Sequence, residues 1–163
     1  HHAPKPSHRQ HSPFPSNRMD MEQRGIKLNY SNLVSPDTVV IADPEQMKKV
    51  INNIISNSVK YMDKPNGHID IRILDEVDAI RVEIEDNGKG IAQKDLQKIF
   101  ERFYRTDASR NSAQGGSGIG LSIVKKIIED HGGYVWATAK EGEGTCMHFV
   151  LRKYIELQPG GTK

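Results

Sequence analysis

A chain of 163 residues, 36% hydrophobic and 27% charged, has the length and balance of one ordinary globular domain. A formal charge of +2 argues against a nucleic-acid binder built on a basic stripe, and no apolar stretch approaches the roughly 20 residues of a membrane span. A single cysteine, Cys146, excludes an internal disulfide and suits a reducing compartment; in the apolar run 146–150 it reads as a small core residue.

In chain order, residues 1–16 are rich in Pro, His and Ser, with Phe14 the only large apolar side chain. Such a segment buries too little to offset its ordering entropy, so a disordered leader is expected, followed by the end of a linker helix up to residue 24. The alternation over 26–30 predicts a strand, and the run 39–42 a short buried one. Asp43-Pro44 is an N-cap followed by proline at the first helical position, opening a helix to about residue 62. At about 100° per residue, Met47, Val50, Ile51, Ile54, Ile55 and Ser58 share one arc, and Asn53, Asn57 and Lys60 share another.

Residues 69–73 and 80–84 alternate cleanly and predict a hairpin with one buried face. A second helical pattern runs over about 93–100, and 106–118 reads as a mobile loop. Leu121, Val124, Ile127 and Ile128 form a third helical stripe, stopped by Gly132-Gly133. A last hairpin joins 134–139 to 145–151, and the tail from 158 is polar. The domain is therefore expected over 25–157, between the leader and a tail at 158–163.

Three constellations bear on chemistry. Asn53, Asn57 and Lys60, four and three residues apart, lie within reach of one ligand. Amide oxygens suit Mg²⁺ without adding charge beside a polyanion, and Lys60 supplies a point charge for phosphate. A solvated helix face explains the same three residues, and for them alone that reading wins. Asp86-Asn87-Gly88-Lys89-Gly90 follows a strand directly; a buried carboxylate there accepts a hydrogen bond from an exocyclic amino group such as adenine's. A tight turn needs the same residue types. Gly115-Gly116-Ser117-Gly118-Ile119-Gly120-Leu121 leads glycines into a helix N-terminus, where free N–H groups and the helix dipole suit phosphate. It lacks the endings of the P-loop and dinucleotide fingerprints, and as a flexible linker it would need no ligand.

Taken together and in this order, with 100–105 between the second and third, the motifs closely resemble the histidine-kinase branch of the ATP-binding superfamily that includes gyrase, Hsp90 and MutL. Residues 43–61 are similar to its N box, 86–90 to its G1 box, 100–105 to its F box, 116–121 to its G2 box, and 142–145 to its late Gly-Thr element. The resemblance implies a two-layer α/β sandwich, a mixed, largely antiparallel sheet covered on one face by helices, with a flexible ATP lid.

Carried over residue by residue, it implies that Asn57 is the main Mg²⁺ ligand with Asn53 assisting, and that Lys60 and Tyr61 contact phosphate and ribose. Asp86 would hold the adenine amino group, Gly88, Gly90 and Ile91 would shape the base pocket, and Thr145 would support the adenine contact. Tyr104 and Arg105 would lie near the phosphates, with Arg105, Asn57 and Lys60 the catalytic set. Gly116, Gly118 and Gly120 would hinge the lid, and Leu121 would border it.

The resemblance also implies a cytoplasmic protein-histidine kinase domain of a membrane-anchored two-component sensor. Its cofactors would be ATP and Mg²⁺. Its partners would be the helical-hairpin phosphoacceptor domain of the same kinase and, indirectly, a response regulator, with no nucleic acid. The fragment is expected to be a monomer and the parent a homodimer. The phosphoacceptor motif itself is not found: His8 has Pro13 five residues on, but Arg9 stands where the family carries an acid. Three rivals share the nucleotide site. These are a serine-directed kinase of the anti-sigma-factor type, a gyrase- or Hsp90-type ATPase, and a binding module without catalysis. The ATPases place an acidic base one turn before the metal-binding asparagine, where this chain has Asn53, which cannot deprotonate water.

Overall fold

The computed structural model describes residues 18–105 and 120–155. Among the described residues, eight elements run in the order α1 (Arg18–Gln23), β1 (Lys27–Asn32), α2 (Pro44–Lys60), β2 (His68–Asp75), β3 (Ala79–Asp86), α3 (Gly120–Asp130), β4 (Tyr134–Lys140) and β5 (Gly144–Arg152). The leader, the loop 106–118 with Gly116 and Gly118, and the tail all fall outside the described residues.

The five strands form one sheet in the order β1-β2-β3-β5-β4. β1 runs parallel to β2, and every other neighbouring pair is antiparallel. The helices pack on one face, so the molecule is the two-layer α/β arrangement with a mixed sheet. Both predicted hairpins form. β5 slots between β3 and β4, and so joins the two hairpins.

α2 starts where the Asp43 carboxylate accepts hydrogen bonds from the N–H groups of Glu45 at 2.9 Å and Gln46 at 3.3 Å. Its apolar arc is buried at Val50, Ile54, Ile55 and Val59, against Val124, Ile127 and Ile128 of α3 and the inner sheet residues Ile69, Val82, Ile84, Met147, Phe149 and Leu151. Alternation along β3 and β5 supplies that inner face and sends Arg81, Glu83, Glu85, Cys146 and His148 to the other one. Cys146 is buried, as its reading as a core residue expects, and it sits on the sheet face away from the helical cluster.

Two expectations fail. The run 39–42 is no buried strand: Val40 makes one isolated bridge to Lys153, while Val39 and Ile41 are exposed. Only Val40 and Ala42 reach the core, so the apolar run is half outside it. Over 93–100 the helix is replaced by successive turns, in which the N–H groups of Asp95, Leu96, Lys98 and Glu101 each donate to a carbonyl three residues back. The apolar stripe is real, since Ile99 and Phe100 are buried. It spans only about two turns, too short to propagate α-helical bonding by itself.

Candidate functional site

The end of β3 carries a buried carboxylate on the face that meets the helices. Asp86 pairs with Thr145 of β5 on one side and Ile69 of β2 on the other, in phase with Ile84, and is only 9% exposed. Its oxygens are met by donors from three elements. The Gly88 N–H donates to Oδ1 at 2.9 Å, and the Ser58 hydroxyl of α2 and the Thr145 N–H also bond the carboxylate. Burial nevertheless pushes its carboxyl above the usual Asp range, against the pull of those three bonds.

Residues 87–90 are pressed between the end of α2 and the β4–β5 turn. The Lys89 N–H donates to the Tyr61 carbonyl at 3.2 Å, and the Gly142 N–H to the Lys89 carbonyl at 2.7 Å. Gly90 has φ +72°, and a Cβ there would lie 2.1 Å from the Lys140 carbonyl oxygen. Gly144 has φ +137°, and its Cβ would lie 2.0 Å from the Asp86 carbonyl oxygen. Main chain thus approaches main chain where a side chain would block it.

On and just after α2, Asn53, Asn57, Lys60 and Tyr61 are half-buried, with the Lys60 ammonium 5.2 Å from the centre of the Tyr61 ring. The end of that helix is clamped by Arg24, whose guanidinium donates to the carbonyls of Val59 at 2.6 Å and Met62 at 2.8 Å. A cation there also suits the negative end of the helix dipole. Ile91 packs half-buried against the core.

Along 100–105, Phe100 is buried, Tyr104 and Arg105 are half-buried, and the Tyr104 hydroxyl bonds the Asp95 carboxylate. Phe103 is exposed with a left-handed backbone, φ 66°, uncommon for an aromatic residue. Gly120 opens α3 at the surface, and Leu121 packs half-buried against the core.

The predicted residues Asp86, Gly88, Gly90, Tyr61 and Thr145 are therefore brought together, with Asn53, Asn57 and Lys60 on the adjoining helix. Two residues went unrecognised. Ser58 was placed on the apolar arc; it does face inward, and its task there is to bond Asp86. A lone hydroxyl in an otherwise apolar arc is the signal that could have found it. Asp95 is buried and holds Tyr104, and nothing in its local sequence marks it. The Cys146 thiol plays no part as a nucleophile, because burial pushes it up to about 12.

The arrangement offers a buried, charged acceptor at one end and a helix face of amide oxygens and an ammonium at the other. That polarity fits a ligand with a flat amino-bearing base and a polyanionic tail.

The sequence signature of the histidine kinase-, DNA gyrase B-, and HSP90-like ATPases matches residues 42–155. The sensor histidine kinase WalK of Bacillus subtilis is 40% identical over 122 residues, which are 74% of this chain and 20% of WalK. The signal transduction histidine-protein kinase BaeS of Escherichia coli is 40% identical over 136 residues, 83% of this chain and 28% of BaeS. The solved catalytic domain of histidine kinase ThkA superposes with TM-score 0.70 at 29% identity, covering 84% of this chain and 85% of that one. ThkA has also been solved in complex with the response regulator protein TrrA, where the match has TM-score 0.67 at 28% identity over 85% of this chain and 37% of that one. The chain thus spans about a fifth to a quarter of the curated relatives it matches.

Proposed function

This chain belongs to the family of histidine kinase-, DNA gyrase B-, and HSP90-like ATPases, and from that premise we propose that it binds MgATP and presents the γ-phosphate for transfer to a histidine on a separate helical-hairpin domain of a two-component sensor kinase. The observation that carries this reading is the convergence of Ser58, Gly88 and Thr145 on a buried Asp86, beside a helix face bearing Asn53, Asn57 and Lys60.

Asp86 accepts the adenine amino group; a guanine, with a carbonyl oxygen at that position, would be repelled. Gly88, Gly90, Ile91 and Thr145 shape the slot for the base, and Lys60, Tyr61, Tyr104 and Arg105 meet ribose and phosphates. Gly116, Gly118, Gly120 and Leu121 serve the lid. The donor set fits Mg²⁺: Asn57 and Asn53 offer neutral hard oxygens, and the ion completes its shell with water and phosphate. When bound, Mg²⁺ neutralises phosphate charge.

The domain is assigned to residues 25–157, as a monomeric cytoplasmic portion of a homodimeric, membrane-anchored parent that acts on a response regulator through the phosphoacceptor domain. No helix among the described residues is long and apolar enough to cross a membrane. The chain supplies no acceptor histidine in this reading, so the test is transfer in trans. With labelled ATP and a separately supplied helical-hairpin domain, label should appear on the hairpin as acid-labile phosphate. Hydrolysis without the hairpin should be feeble, because Asn53 cannot deprotonate water. No transfer from a chain shown to bind MgATP would overturn the proposal.

Metal dependence should run through α2. Asn57 is half-buried and outside the apolar cluster, so Asn57→Ala should shift unfolding without ligand by less than about 0.5 kcal/mol, as for an ordinary surface change. The extra thermal stability conferred by MgATP should shrink, since a ligand stabilises according to its affinity. Collapse of the unliganded variant would make Asn57 a structural residue instead.

Acidification should also weaken binding early. Because the Asp86 carboxyl lies above the usual Asp range, it takes up its proton while ordinary carboxylates are still charged, and the charged acceptor is lost. Calorimetry at successive pH values should show ATP affinity beginning to fall at a higher pH than an ordinary Asp would give. Asp86→Asn should flatten that limb while the phosphate titration, common to both proteins, remains. Parallel profiles would refute the assignment.

A further inference from the structure

On the sheet face turned away from the helices, register places three metal-ligating side chains side by side. Glu83 of β3 is paired with His148 of β5, and Cys146 lies two residues from His148 on the same face. The carboxylate, thiol and imidazole ligand atoms all lie within 4.8 Å of one another. Ligands bound at about 2.0–2.3 Å sit about 3–4 Å apart around a tetrahedral zinc ion, so small side-chain rotations close the site.

The second observation is the state of His148. It is only 9% exposed, and its Nδ1 is sealed from solvent without a hydrogen bond, although Glu83 Oε2 lies 2.8 Å away. The other ring nitrogen, Nε2, is 2.8 Å from the Thr138 hydroxyl oxygen. In one tautomer Nε2 accepts from the Thr138 hydroxyl and Nδ1–H points at the carboxylate; in the other Nε2–H donates to Thr138 and Nδ1 turns a lone pair toward it. In the second tautomer a cation takes the place of the proton that the first puts between imidazole and carboxylate. A partner that fixes the ring through its outer nitrogen is what metal-ligating histidines have. Stacking on Trp136, 4.8 Å between ring centres and 5° from parallel, holds the ring further. Glu83 is oriented through its other oxygen by Arg72, 3.4 Å away.

We propose that Glu83, Cys146 and His148 form a binding site for a thiophilic divalent transition-metal ion of the zinc class, with three protein ligands. The ion bridges β3 and β5, the two strands that carry Asp86 and Thr145 on their opposite face, and it deprotonates the coordinating thiol. The site is separate from the Asn53 and Asn57 oxygens, which are hard ligands of a different chemistry.

Co²⁺, added to the reduced full chain, is the probe. His1, His2, His8 and His11 in the leader also take up metal, so bound stoichiometry alone decides nothing; a thiolate signal does, because Cys146 is the only cysteine. Co²⁺ should produce a thiolate-to-metal charge-transfer band and quench the emission of Trp136, the only tryptophan. Zn²⁺ should displace it and raise the unfolding temperature. Cys146→Ser should abolish the band, and His148→Gln should weaken Co²⁺ binding at the thiolate at least tenfold. Absence of a thiolate band in the unsubstituted chain, or the same spectrum and quenching with Cys146→Ser, would overturn the site.

Discussion

Asp86→Asn should weaken ATP binding by at least tenfold while the domain stays folded. The native carboxylate is acceptor-only and already receives Gly88, Ser58 and Thr145, with capacity left for one more donor. An asparagine has a single oxygen; once that is taken by the backbone donors, its NH₂ group faces the adenine amino group, donor against donor. Loss of a hydrogen bond to a charged group costs about 1.5–3 kcal/mol, so a tenfold loss is the lower end of the range. Folding should suffer less, because burial already disfavours the charged form and asparagine removes that charge. Calorimetry for affinity and thermal unfolding for stability separate the two effects. Unchanged affinity in a folded variant would rule out Asp86 as the adenine contact.

Gly144→Ala should be the most damaging small substitution in the site. Two effects coincide there: φ +137° is a conformation L-residues rarely adopt, and the new Cβ would lie 2.0 Å from the Asp86 carbonyl oxygen and 2.9 Å from the Asn87 Cα. Neither neighbour is the flexible end of a side chain; both are main chain of the strand end that positions the carboxylate. Relief requires β5 to move off β3, which strips Thr145 from Asp86. We expect destabilisation above about 3 kcal/mol, beyond the strain of about 1–3 kcal/mol usual for a disfavoured backbone conformation alone. Nucleotide binding should be lost even where the chain still folds.

Gly142→Ala, two residues earlier in the same turn, is the control. It has positive φ, 78°, but open space around the added methyl. It should cost only about 1–2 kcal/mol and leave ATP affinity intact. Equal effects at the two positions would mean that backbone strain, not the collision with Asp86, sets the cost.

Local periodicity determined much of this protein. The Asp43-Pro44 start of α2, the buried arc from Val50 to Ile55, the alternation of β2 and β3, and the final hairpin are all consequences of residues within one or two turns of each other. The motif order was enough to point to the family, because each box is a short contiguous string. What periodicity could not determine is which faces meet. Ser58 lay on the inward arc by phase alone, and nothing nearby in sequence said that its inward neighbour is a carboxylate 28 residues on. β5 pairs with β3 across an intervening loop, helix and strand, and that non-local pairing brings Thr145 to Asp86 on one face and His148 to Glu83 on the other. The short stripe at 93–100 gave way for the same reason. Burial of Ile99 and Phe100 and the Asp95–Tyr104 bond, not local propensity, decide the path of that segment. Tertiary structure chose the partners because burying a polar group is tolerable only where donors from other elements arrive to satisfy it.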